Sequence, residues 1–298
     1  MKENTNSEKI ILGMSVAHHD GSMCILKGGK ILAAIEVERL SKKKKERLHK
    51  DNFSLLLEYV LDAAEIKWED IDYVANGCCP EYPQLNDIEL SRDWIMEGSK
   101  LQPKTIYTVP HQLSHASASY FTSPFTDTVF LTLDGSEGDP EYFFGNSLIG
   151  WAKDIKIQGD RMIPCGASIY YQRVCEYLGL GDALHKVGTL MGLASYGTVL
   201  NSYTDLPFQH ETTNLIEENF STAANIAATA QKVLEERILN FIKNDIYSPG
   251  LKRDQYESTN LCLGGGTFYN CPTNSRILKE TKLFLFRFII ISSFSLFH

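Results

Sequence analysis

Several common signatures are missing from this sequence, and each absence removes a class of protein. The seven cysteines include no C-x-x-C pair, and Cys78 and Cys79 are adjacent. This is the pattern of reduced thiols rather than of a disulfide framework. The opening MKENTNSEK has no apolar stretch of the kind a secretion signal needs, so the expected location is the cytoplasm. Neither G-x-x-x-x-G-K-[ST] nor G-x-G-x-x-G occurs, which removes the P-loop and the dinucleotide fingerprint. No surplus of positive charge exists either: the net charge is −8, against a general grip on nucleic acid or on an anionic membrane. Low-complexity linkers and short repeats are also lacking.

The 298 residues, 43% of them apolar, suffice for one large domain of two lobes or for two ordinary domains. The first forty residues predict three strands, with Gly28-Gly29 joining two β-prone runs as a tight hairpin. NFSLLLEYVLDAAEI has apolar residues at helical spacing, and DIDYVANG reads as a strand. A similar order returns downstream. DTVFLTLDGSEG is a strand ending in an Asp-Gly turn, and EYFFGNSLIGWAKDIKIQG supplies two more. SIYYQRVCEYLGL is a helix closing at Gly179, residues 215 to 246 form a long helical region, and NLCLGGG is a strand running into glycines before a further helix. The expected fold is thus α/β, with a three-strand, helix and strand pattern present twice.

Chemistry-bearing residues gather at a few places. In HQLSHASASYF, His111 and His115 fall on one helix face at a spacing that lets two imidazoles share an ion. Asp134, at the end of the strand VFLTLD and before Gly135, is a third candidate ligand. The alternative is that the histidines cap or pack and that Asp134 only starts a turn. His19 and Asp20, in HHDGS after the first strand, pair a base with a turn that brings backbone close, or form an ordinary polar turn. LCLGGGTFYN and TLMGLASYG put glycine beside a strand or helix start, where exposed N–H groups cradle phosphate oxygens. Lys42 to Lys45 form a basic run that is a solvated face or a contact for an anionic substrate, and Glu38 and Arg39 precede it as an ion pair or as ligand contacts.

Taken in order, HDGS, EVERLSKKK, HQLSHASASYF, LTLDGSEG, SIYYQRVCEYLGL, TLMGLASYG and LCLGGGTFYNCPTN resemble the O-carbamoyltransferase family of nodulation and antibiotic biosynthesis (NodU/CmcH type). The likeness runs from about Ile11 to Leu278. It implies the two-lobed actin, sugar-kinase and Hsp70-like fold, shared with the threonylcarbamoyl transferases that modify tRNA. Lobe one would span about residues 10–125 and lobe two about 126–282, within a domain of residues 1–282.

The resemblance also implies a reaction. Carbamoyl phosphate and ATP give a carbamoyl-adenylate, whose carbamoyl group passes to a hydroxyl of a sugar, antibiotic or other small acceptor. Carried over residue by residue, His111, His115 and Asp134 match the metal ligands, with iron ahead of zinc. His19 matches the histidine that assists deprotonation of the acceptor, with Asp20 beside it in the turn. Lys44 matches a lysine on the anionic donor, while Gly264, Gly265 and Asn270 match the turn that approaches the nucleotide. A homo-oligomer is compatible with the sequence, and neither nucleic acid nor membrane is expected as a partner.

Two departures stand out. Val187, Gly188 and Thr189 replace the family's Glu-Gly-Lys before MGLA. Near Lys279 the likeness is expected to give way to the Phe- and Ile-rich segment 283–298, which reads as a buried strand or a foreign tail. That places a further metal-binding aspartate and the carbamoyl-adenylate-forming domain outside this chain, as in a truncated or frame-shifted product with an incomplete second lobe. A catalytically silent remnant that binds nucleotide or metal, or a relative of the tRNA-modifying enzymes, are the alternatives.

Overall fold

The strand-forming residues at the N-terminus assemble as their periodicity predicts. The computed structural model describes residues 9–16, 19–78, 105–135, 147–162, 166–200, 213–246, 260–281 and 284–287. Strands β1 (Ile10–Ser15), β2 (Ser22–Lys27) and β3 (Lys30–Glu36) form an antiparallel meander. Gly28 and Gly29 close its second turn, both with positive φ (55° and 77°), as a two-residue hairpin of this twist requires. β4 (Tyr73–Cys78) adds parallel to β1, and β5 (Thr105–Pro110) adds parallel to β4. The sheet order is β3-β2-β1-β4-β5.

Alternation along β2 sends Met23 and Ile25 to one face and Cys24 and Leu26 to the other. Helices α1 (Val37–Ser41) and α2 (Lys50–Ala63) follow the meander. α2 presents Phe53, Leu56, Leu57 and Val60, one helical stripe, to a core with Leu12, Met14, Met23 and Ile25. On the opposite face, Ala118 of α3 (His111–Phe121) packs with Ile11, Cys24 and Leu26.

The second sheet repeats this plan. β6 (Asp127–Leu133) pairs antiparallel with β7 (Ser147–Lys153), β8 (Lys156–Met162) lies next to β7, and β9 (Asn260–Gly264) adds parallel to β6. β10 (Phe284–Arg287) adds parallel to β9, so part of the Phe-rich segment is a strand; residues beyond Arg287 lie outside the described residues. The order β8-β7-β6-β9-β10 matches β3-β2-β1-β4-β5 strand for strand.

Among the described residues, four longer helices belong to this half: α4 (Ala167–Tyr177), α5 (Ala183–Ala194), α7 (Phe220–Phe241) and α8 (Cys271–Thr281), with the short α6 (Leu215–Glu218) before α7. Val129, Leu131 and Leu133 of β6 meet Tyr170, Val174, Ala223, Ala227 and Leu234 in one apolar core. By contacts the chain divides into two compact units. One runs to Phe125 and takes in Asp154–Ile157; the other holds Thr126–Lys153 and Gln158–Arg287.

One reading from the sequence needs correction. TLMGLASYG is not a glycine turn at Gly192, which lies inside α5; hydrogen bonding along a helix occupies the N–H groups that a phosphate cradle would expose. Gly197, just beyond it, has a packing role: a Cβ there would stand 1.9 Å from the carbonyl oxygen of Ala224 on α7. Among the described residues, no helix is long and apolar enough to cross a membrane.

Candidate functional site

The HDGS turn is built by close approach of backbone. Asp20 has φ +54°, and the amides of Asp20 and Gly21 donate to the carbonyls of Lys45 (3.2 Å) and Glu46 (2.9 Å). A Cβ on Gly21 would lie 2.0 Å from the Leu48 amide nitrogen, so only glycine fits. Two stretches distant in sequence, the HDGS turn and the basic run, are thereby laid side by side. Within the turn, His19 Nδ1 and Asp20 Oδ2 are 2.7 Å apart, both partly buried. A carboxylate on one ring nitrogen holds the imidazole in a single tautomer and directs Nε2 as the base.

The fold adds a neighbour that sequence reasoning passed over. Glu36, at the end of β3, is held above the usual carboxylate range, first by burial and then by Glu38, with Asp20 adding to it. Arg39 opposes this, contacting Glu36 (3.2 Å) and Glu38 (3.3 Å). The signal was in EVERLSKKK, but only the closing of β3 against the turn brings its first acid under the influence of Asp20. Lys44 is exposed in the loop between α1 and α2, flanked by Lys42 and Lys45 in left-handed conformation (φ 63° and 58°).

In the same unit, α3 begins directly after Pro110, which puts His111 and His115 in its first turns. Their Nε2 atoms are 3.2 Å apart and the ring centroids 4.5 Å, with His115 buried. Two nitrogens each about 2.1 Å from one cation lie roughly 3.0–3.4 Å apart, so the pair fits a shared ion.

In the second unit, Asp134 and the glycine turn meet. Asp134 follows the last residue of β6, and its Oδ1 accepts a hydrogen bond from the amide of Gly266. Gly265 has φ +92°, and a Cβ there would stand 2.4 Å from the Leu133 carbonyl oxygen. Gly264 ends β9 alongside Thr132 of β6. Ser168 at the start of α4 fastens the turn through Thr267 (2.7 Å between hydroxyls). Asn270 is buried: its side-chain oxygen accepts from the Thr273 amide (3.1 Å) and hydroxyl (2.8 Å) at the start of α8. The structure therefore puts the glycines at the turn and Asn270 behind it.

These placements can be set beside known proteins. Residues 10–97, 89–212 and 206–295 match the family described as carbamoyltransferase N-terminus. The chain belongs to that family. The match continues to residue 295, past Lys279 where the sequence reading has the likeness end.

Among similar proteins, an uncharacterized protein of Synechocystis (sll1178) is 25% identical over 91% of this chain and 53% of its own length. The nodulation protein NolNO of Sinorhizobium fredii is 24% identical over 88% of this chain and 42% of its own. The chain thus spans about half the length of the curated relatives it matches.

Two solved structures show the fold alone. Component A of the Acidaminococcus fermentans (R)-2-hydroxyglutaryl-CoA dehydratase has TM-score 0.57 and 14% identity, covering 96% of this chain and 93% of its own. The activator of Clostridium difficile 2-hydroxyisocaproyl-CoA dehydratase, with bound ADPNP, has TM-score 0.54 and 15% identity, covering 95% and 90%. The expected α/β class of the actin-like type is the class observed.

Proposed function

We propose that this chain transfers a carbamoyl group from carbamoyl-adenylate, formed from carbamoyl phosphate and ATP, to a hydroxyl of a sugar or other small acceptor. The observation that carries the reading is the family match, whose span includes every residue placed above.

In this reading the glycine turn at Gly264 and Gly265 takes the nucleotide, because only a backbone without side chains can come that close to it. Lys44, exposed beside the HDGS turn, meets the anionic donor. His111, His115 and Asp134 hold a divalent cation; two imidazoles and a carboxylate suit ferrous iron, and zinc as well. When bound, the cation supplies Lewis-acid polarisation of the carbamoyl group. His19, with Nδ1 held by Asp20, takes the acceptor's proton at Nε2. The acceptor oxygen bonds to the carbamoyl carbon, the bond from that carbon to the adenylate oxygen breaks, and AMP leaves with the electron pair.

Two measurements test this. Metal analysis of the purified protein should give about one iron or zinc per chain, lost in His115→Ala. Label from carbamoyl phosphate, in the presence of ATP, should reach a polyol acceptor, and His19→Ala should slow that transfer about a hundredfold or more. No transfer by the chain alone, nor on adding the remaining portion of a full-length relative, overturns the proposal.

A further inference from the structure

Behind the glycine turn lies a buried polar cluster that no step above uses. Its centre is Gln231, in the middle of α7 and shielded from solvent. Gln231 Nε2 donates to Glu235 Oε1 (2.7 Å) and to Asn270 Oδ1 (2.9 Å). Gln231 Oε1 accepts from Tyr171 Oη (2.9 Å) and from Asn270 Nδ2 (2.9 Å). All four hydrogen-bonding positions of one side-chain amide are engaged.

The orientation of each amide is set independently. Glu235, paired with Arg276 at 3.0 Å, only accepts, so Gln231 must turn its nitrogen towards it. Asn270 must turn its oxygen to the Thr273 amide, because a backbone N–H only donates. With both fixed, the two amides form a reciprocal pair. Burial pushes the Tyr171 hydroxyl above its ordinary value, which keeps it a donor.

Asn270 ends the single turn of 3-10 helix Gly266–Tyr269, and its amide donates to the Thr267 carbonyl (3.2 Å). The turn is also tied to α8 where Asn274 donates to the Phe268 carbonyl (2.8 Å). Fixing Asn270 therefore fixes the glycine backbone one helical turn earlier.

We infer that Gln231 is a positioning residue for the nucleotide, setting the glycine turn through its paired amide with Asn270. This rests on the reading that the turn takes ATP. A bland structural role would show as lost stability alone, whereas positioning shows in nucleotide affinity at matched stability.

The test is calorimetric titration of the full chain with magnesium ATP, well below its unfolding temperature. Gln231→Met, close in volume, and Gln231→Glu, which sets a carboxylate against Glu235 and Asn270 Oδ1, should each bind ATP about tenfold more weakly. Metal content should stay as in the parent chain. Val174→Ala, a cavity in the same core, should bind ATP within about twofold of the parent. Should Gln231→Met not fold, Gln231→Glu decides alone. Unchanged ATP affinity in the Gln231 variants overturns the inference and leaves the nucleotide reading standing. Equal weakening in Val174→Ala overturns it too, since the effect is then general loosening. A parent chain that binds no ATP removes both.

Discussion

A single Cβ atom decides several features of this molecule. Gly265 combines φ +92° with a Cβ position 2.4 Å from a backbone oxygen, a contact that no side-chain rotation relieves. Gly265→Ala should therefore lose about 2 kcal/mol or more, read as a lower denaturation midpoint in urea. Gly28, Gly29 and Gly179 were legible from the sequence because each sits in a local pattern, a hairpin or a helix end. At Gly21 the close approach of backbone was legible but its partner, Leu48, was not, and at Gly197 neither was, since Leu48 and Ala224 come from elsewhere in the chain. The chemistry divides the same way. His111 and His115 lie one helical turn apart, and their spacing alone predicts that the rings meet. The approach of the basic run to His19 and Asp20, and the influence of Asp20 on Glu36, exist only once β3 has folded back.

At the scale of elements, α7 and α8 are joined by ions as well as by the amide pair. Arg276 contacts Glu235 (3.0 Å), Glu236 (3.2 Å) and Glu280 (2.7 Å). The Lys232 ammonium chiefly holds the Glu236 carboxyl below the usual range, and Arg276 does the same for Glu280. For acids with depressed folded values, the stabilising contribution is present above the unfolded value of about 4.3 and fades as pH falls through the folded one. Arg276→Leu should thus cost stability at pH 7, about 2 kcal/mol, because Glu235 is left buried and uncompensated. The variant should also lose less than the parent on acidification. Thermal melts between pH 7 and pH 3 check both; parallel curves would count against the coupling.

Helices with strong stripes, α2 and α4, were readable in advance, as were eight of the ten strands among the described residues in outline; for β10 a buried strand was one of two readings of its segment, beside a foreign tail. Strand β5 was missed, because TIYTVP is short and ends in proline, and α5 was missed because its glycines suggested a turn. In α5 the tertiary setting overrides the low helix propensity of glycine.

At the scale of the whole molecule, the two larger apolar cores among the described residues answer to two sheets of one topology. Each is large enough to unfold as its own unit, so scanning calorimetry should resolve two transitions rather than one. Magnesium ATP, if it binds the glycine turn, should raise the transition of the unit that contains Gly265 and leave the other nearly unmoved. A single transition raised as a whole would show that the units unfold together. The repeated order of strands was legible in the sequence as a doubled pattern, since hydrophobic alternation repeats with it.

That strand order also bears on how quickly the chain finds its shape. β1 to β3 close through a turn at Gly28-Gly29, and such hairpins form on the microsecond scale. β9 must instead travel from residue 261 to lie beside Val129, a pairing that pays chain-closure entropy before any contact rewards it. The central parallel pair of the second sheet therefore sets the pace of folding there. Until β9 arrives, β6 carries an open hydrogen-bonding edge, and for that interval the nascent protein depends on its surroundings to keep other strands away.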